Sequence, residues 1–452
     1  MATGSGRMLP SAVLCLLVLL VAAVPLDVLG QAPAGAQAVA ITNVTVIDAS
    51  GAAAQPDMTV VVRGDRIATV GASRQVPVPR DATVVDGAGK FLIPGLWDMH
   101  VHTHDQSWLT LFLANGVTGV RVMKGEPVHH GWRQGIAGGE LLGPRMVIGS
   151  NLIDGPDPIW AGSVAVSDEA DARRAVQQAK EKGADFVKVY SLLPRPAFFA
   201  LADEARKQDI VFAGHVPDAV TAAEVSDAGQ RSIEHLSGIT MATSTRETEI
   251  RAEIGRIFRG ADYSTQRKSL ELAAAQSHSL ERAQSLFDRF ARNGTWQVST
   301  LAILRSLSRM GDVRYGQDER LRYIAPDLAQ SWQRYPQASR SPQQLADQQE
   351  LFHHQLALVG AMNRAGVGLL AGTDALNPFC FPGFSLHDEL ELFVQAGLLG
   401  ADPLADIRNT RQIDGVVTAG VFLPRDRLDA MLAEVEAVTA ARSSPAQRPR
   451  AG

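Results

Sequence analysis

The chain has 452 residues, enough for one large domain or two to three ordinary ones, and carries a formal net charge of −5. Lys and Arg are scattered rather than clustered, which argues against a nucleic-acid footprint. Charged residues make up 20% and apolar residues 46%, the usage of an ordinary globular protein.

Taken in chain order, the first stretch reads as a secretory signal peptide over residues 1–36. Arg7 supplies a positive start, "LPSAVLCLLVLLVAAVPL" an apolar run, and "DVLGQAPAGAQA" small residues suited to cleavage. A retained N-terminal anchor is the alternative. The reading implies a periplasmic or secreted protein, with no membrane attachment once the segment is removed. Cys15 lies inside the apolar run, so Cys380 is the lone cysteine of the mature chain. No intramolecular disulfide can form, and any metal must rely on His and carboxylate ligands.

Residues 37–91 are dense in short strand and turn signals ("VAITNVTVIDASG", "MTVVVRGDRIATVG"), predicting a small antiparallel β unit. From residue 92 to 400 strands alternate with helical stretches. Eight strand candidates follow: "LIPGLWDMHV", "VTGVRVM", "PRMVIGS", "DFVKVYS", "IVFAGHV", "RSIEHLSG", "TWQVSTLAI" and "VGLLAGTDA". Helical patterns such as "DEADARRAVQQAKEKG" and "RPAFFALADEARKQ" separate them, Pro196 suiting a first turn. The pattern predicts an α/β fold, a (β/α)8 TIM barrel, with long charged helical insertions at about 240–345 covering its mouth as a lid. Residues 401–424 are strand-like ("RQIDGVVTAGVFL") and predict a return to the small β unit, making a discontinuous β-sandwich. Residues 425–452 predict a terminal helix and a disordered tail.

In "FLIPGLWDMHVHTH" a strand period of two puts His100, His102 and His104 on one face. Locally this is either a metal site or a histidine-rich loop. In a barrel the reactive groups sit at the C-terminal strand ends. Those ends carry His100 and His102 on the first strand, Lys188 on the fourth, His215 on the fifth, His235 on the sixth and Asp374 on the eighth. Singly, each has an ordinary reading: a solvated lysine, a satisfied core histidine, a helix-capping aspartate. Six such groups at one rim are costly to bury without a function.

The set "PGLWDMHVH", "VKVY", "GHVP", "SIEHLSG" and "AGTDA" resembles the amidohydrolase superfamily, and looks closest to secreted members related to imidazolonepropionase and the Xaa-Pro dipeptidases. The resemblance implies a metal-dependent hydrolase on a (β/α)8 barrel. His100, His102 and Asp374 match the ligands of a buried ion, His215 and His235 those of a more exposed one, and Lys188 the lysine that CO2 converts to a bridging carbamate. Such a carbamate is an anionic two-oxygen ligand able to bridge ions roughly 3.5–4 Å apart. Imidazoles and hard oxygens suit Zn2+, two per chain, with Mn2+ or Co2+ as alternatives. Asp374 and Lys188 are the candidate catalytic residues, Asp374 passing a proton from water to the leaving amine. His104 has no counterpart among the ligands and reads as a rim residue or one that supports a ligand from behind.

Asp98 points the same way as His100, either orienting a ligand histidine or simply a buried, hydrogen-bonded carboxylate. Tyr190 reads as a carbonyl-polarising group or a packing aromatic, and His387 as the start of a helix, with support behind a ligand as the alternative. His129, His130, His278, His353 and His354 read as surface or helix residues. Two departures stand out. The second strand ends in Val122 and Met123 where relatives carry an aspartate, and the chain runs from "HDELELFVQAGL" straight into "LGADPLADIRNT", where relatives have further sandwich strands. The shortening predicts a loosened sandwich and self-association of like chains through its open edge.

The expected activity is hydrolysis of an amide bond in a dipeptide or N-acyl amino acid. Alternatives are a lactone, ester or cyclic-amide substrate, or a degenerate homologue that binds metal without turnover. Deamination fits less well, because deaminases of this superfamily lack the Lys188 equivalent.

Overall fold

The computed structural model describes residues 38–257, 263–310, 313–337, 341–398 and 406–443. The expected signal peptide, the shortened connection at 399–405 and the expected tail beyond 443 lie outside them. Among the described residues no helix is long and apolar enough to cross a membrane.

The N-terminal strands β1 (Val39–Val46), β2 (Gln55–Arg63), β3 (Arg66–Ala72), β4 (Thr83–Asp86) and β5 (Phe91–Leu92) form one sheet in the order β3-β2-β1-β4, with β5 also on β1. The antiparallel expectation holds for β1–β3 only. The two-residue link Gly64–Asp65 forces a hairpin, Gly64 taking φ +56°. The longer connection after Ala72 lets the chain return alongside β1 in parallel, as β4 and β5 do. Val39, Ile41, Val44, Val46, Val60 and Val62 form its buried face.

The second sheet is the barrel. β6 (Leu96–Val101), β7 (Val117–Val122) and β8 (Arg145–Asp154) are its first staves, the short β9 (Val164–Ala165) lying against β8. β10 (Phe186–Val189), β11 (Val211–Gly214), β12 (Ser232–Glu234) and β13 (Trp296–Val298) follow, every neighbouring pair parallel. The eighth stave, within 367–375, closes the ring. Leu370 N donates to Gln297 O (2.9 Å) on one side, and Met99 N to Ala371 O (2.9 Å) on the other.

Helices pack outside on apolar stripes. In Glu169–Glu181 the buried positions Ala172, Ala175, Val176 and Ala179 follow helical spacing, and Asp168 caps the start by accepting from Asp171 N. The seventh stave is shorter than "TWQVSTLAI" suggests. Thr300 takes φ +48°, and Leu301 opens a helix to Ser308. Helices Glu247–Ile257, Tyr263–Gln276 and Leu280–Asn293 lie between β12 and β13, and Pro326–Gln337 and Pro342–Arg364 precede the eighth stave.

At the C-terminus β14 (Gly415–Thr418) and β15 (Val421–Pro424) pair only with each other among the described residues. Ala419 and Gly420, both at positive φ, make the two-residue turn. The return to the β unit is by packing rather than by an added strand, Val417 and Phe422 lying against the β1–β2 core. Helix Arg425–Ser443 then buries Leu428, Met431 and Val435.

Candidate metal centre

Each candidate residue sits where a barrel strand ends. His100 is on β6 and His102 just past it, Lys188 on β10, His215 and His235 one residue beyond β11 and β12, and Asp374 at the end of the eighth stave. His235 (φ 59°), Thr300 (φ 48°) and Asp374 (φ 62°) lie in the left-handed region. Such strained backbone persists only where its surroundings fix it, and here it turns side chains at three strand ends towards one centre.

That centre is tight. Asp374 Oδ1 lies 3.2 Å from His100 Nε2 and 3.1 Å from His102 Nε2, and Asp374 Oδ2 lies 3.8 Å from His235 Nδ1. The His100 ring centroid is 4.4 Å from that of His235, which is 5.0 Å from that of His215. One ligand atom from each of His100, His102 and Asp374 falls within a 4.8 Å group, the size of a metal-ion cradle. Lys188 is 1% exposed, and its Nζ has no hydrogen-bond partner; His100 Nε2 and Asp374 Oδ1 likewise have none of hydrogen-bonding geometry. Buried polar atoms without partners are rare. His100 Nε2 and Asp374 Oδ1, 3.2 Å apart, are what a cation taking one nitrogen and one oxygen donor would satisfy, and Lys188 could join them only with its charge removed, so the residues fit the group.

Burial disfavours charge on the imidazoles. His235 is pushed down to about 3, and His215 well below its ordinary value. Neutral imidazole is the form that ligates. Burial also lowers the Lys188 ammonium, to about 8 against the pull of Glu234 and Asp374. For Asp374 burial works against ionisation, but the facing imidazoles more than offset it and hold the carboxylate well below its usual range.

Around this core the histidines are held from behind. His100 Nδ1 meets Glu234 Oε2 at 2.7 Å, His215 Nδ1 meets Ser191 Oγ at 2.8 Å, and His235 Nδ1 meets Thr300 Oγ1 at 2.8 Å. Glu234, wholly buried, also takes Arg121 Nη2 at 2.8 and 2.9 Å and Ser232 Oγ at 2.5 Å. Arg121 and Glu234 were not among the sequence candidates. Their signal was that each is the one charged residue within its barrel strand, Arg121 in β7 and Glu234 in β12.

The remaining candidates fall elsewhere. Asp98 is a buried carboxylate that accepts from Thr373 Oγ1 (2.6 Å), Thr373 N (3.0 Å) and His100 N (3.2 Å), so it fixes main chain and not an imidazole ring. His104 is exposed. Tyr190 stacks on His215, ring centroids 4.1 Å apart, and accepts from Trp160 Nε1 at 2.7 Å. His387 is buried inside a helix, bridging Thr410 Oγ1 and Asn115 O at 3.0 Å each. His129 is no surface residue. It lies in helix Pro127–Ala137, as its helix reading has it, and is fully buried, with Nε2 2.7 Å from Thr103 O and Nδ1 accepting from Glu126 N at 2.9 Å.

A cavity of about 280 Å³ opens over the exposed side of the centre. His215, His235 and Ser191 line it on the barrel side, and Tyr263, Arg267 and Glu271 come from helix Tyr263–Gln276.

No family model matches the chain. A 62-residue stretch is 39% identical to an adenine deaminase of Rubrobacter xylanophilus, spanning 14% of this chain and 10% of that protein. Among solved structures, bottromycin amidohydrolase superposes with a TM-score of 0.72 at 24% identity, covering 91% of this chain and 93% of its own. A. niger ochratoxinase gives 0.57 at 17%, covering 86% and 96%. A Xaa-Pro dipeptidase with bound methionine gives 0.56 at 16%, covering 86% and 100%. These likenesses bear out the fold that the five short motifs led us to expect: a parallel (β/α)8 barrel with a separate small sheet.

Proposed function

We propose that the chain is a metal-dependent hydrolase of amide bonds, acting on a dipeptide or N-acyl amino acid in the periplasm or outside the cell. The carrying observation is the convergence of His100, His102 and Asp374 on one 4.8 Å cradle, with the orphaned Lys188 Nζ buried beside it. We assign His100, His102 and Asp374 to one divalent ion, His215 and His235 to a second, Zn2+ first among candidates, and a CO2-derived carbamate on Lys188 as the anionic group between them. When bound, such a pair lowers the pKa of a water from about 15.7 towards neutrality and polarises a carbonyl.

The chain's own residues do the rest. Asp374, ionised and held between the imidazoles of His100 and His102 on the first strand and of His235 on the sixth, accepts a proton from the attacking water and passes it to the leaving amine. Glu234, Ser191 and Thr300 hold the three imidazoles in place, so the ligands do not reorganise when the ions bind. The cavity admits substrate on the side of His215 and His235.

The test is turnover of a library of Xaa-Xaa dipeptides and N-acyl amino acids, with lactones and esters alongside, by protein supplied with Zn2+ and bicarbonate. Amide cleavage that disappears in Asp374→Asn supports the reading. Cleavage confined to lactones or esters, or none at full metal load, contradicts it.

A further inference from the structure

The loop after β8 carries two large apolar side chains into solvent: Ile159 is 49% exposed and Trp160 54%. Exposed apolar groups side by side mark a binding surface when something holds them there. Here the anchoring is specific. Asp154, fully buried at the end of β8, accepts Ile159 N at 3.0 Å with one oxygen and Leu192 N at 2.6 Å with the other, tying the loop to the chain beyond β10. Trp160 donates its indole N–H to Tyr190 Oη at 2.7 Å, and Tyr190 stacks on His215. Ile159 lines the cavity over the centre, with Met241 and Leu304 as further apolar lining.

The opposite wall is polar, but its charges are already paired. Arg267 gives Nη1 to both oxygens of Asp218 (2.8 and 2.9 Å) and Nε to Glu271 (3.3 Å). One guanidinium between two carboxylates leaves no surplus positive charge to select an anionic substrate group. Discrimination must then come from the apolar side.

We propose that Ile159 and Trp160 form a specificity wall that receives a bulky apolar or aromatic group flanking the scissile amide. This rests on the hydrolase reading above. Ile159 faces the cavity and Trp160 next to it is held to Tyr190 beside His215, so an apolar group laid against the pair loses water on one face, and exchanging a large apolar group for hydrogen in such a site changes selectivity by about tenfold or more.

The experiment compares N-acetylphenylalanine with N-acetylglycine, which share their carboxylate and differ only in the apolar group. The readout is the Phe/Gly ratio, taken as kcat/KM where the pair is cleaved and as binding affinity where it is bound but not cleaved. The expected ratio is at least tenfold in wild type, close to one in Trp160→Ala, and largely kept in Trp160→Phe. Trp160 is half exposed, so these variants should fold. A wild-type ratio near one, or one unchanged in Trp160→Ala, overturns the proposal. Discrimination in binding without any cleavage would leave the wall standing while removing the hydrolase reading.

Discussion

Replacing Glu234 by Gln keeps the side-chain shape and removes one charge from the centre of the barrel. In the native protein burial alone would raise this carboxyl, but Arg121 and His100 outweigh it and hold it well below the usual carboxylate range. The variant leaves the Arg121 guanidinium buried without its counter-charge. Breaking a buried pair from one side costs about 3–5 kcal/mol. The amide oxygen can still accept one of the former hydrogen bonds, recovering about 1 kcal/mol, so a net loss of about 2–4 kcal/mol is expected in metal-free protein. The same change weakens the support behind His100 Nδ1, and losing such an outer contact lowers metal affinity by about 10–100-fold. Urea unfolding of chelator-treated protein reads the first effect and competition with a zinc indicator dye the second. An unchanged urea midpoint together with unchanged zinc affinity would refute the reasoning.

Lys188→Ala should lose most activity while staying folded, and added propionate should restore part of the rate by filling the vacated position; full activity without propionate would make Lys188 an ordinary strand-end lysine. Asp374→Asn should lower kcat strongly and remove the acidic limb of the pH–rate profile, measured at saturating substrate. Glu224, hydrogen-bonded to Arg195 first and then to Thr221, is held down to about 2 from 4.5. A depressed carboxylate stabilises the fold above its unfolded pKa, and that contribution is lost as the pH falls from about 4.5 through 2. Glu224→Gln should therefore flatten the acid-unfolding curve in that window, as followed by circular dichroism, and a variant as acid-sensitive as wild type would show the pair to be inert.

The barrel was legible because its staves announce themselves locally, several of them as an apolar run ending in a polar residue. "FVKVY", "FAGHVP" and "LAGTDA" place their charged or ligating residue at the strand end, where the structure has it. What could not be read was everything made by closure. Arg121 and Glu234 are 113 residues apart and meet only when the second and sixth staves line one interior. His129 reads as a surface or helix histidine in "PVHHGW"; it is in a helix, but nothing nearby shows that its ring is buried with Thr103 O 2.7 Å away. Thr300 falls inside a run that reads as strand, and its left-handed backbone both ends that strand and brings its hydroxyl to His235. The hairpin at 415–424 has strand composition, but composition does not say whether a strand pairs with the sheet or packs across it.

The central claim is a bridged pair of ions at these strand ends, and the most direct measurement is the metal content of protein purified without chelator, alongside Lys188→Ala. The account predicts about two divalent ions per wild-type chain and a clear fall in the variant. A reproducible value near one in both would contradict it, leaving a single ion on His100, His102 and Asp374.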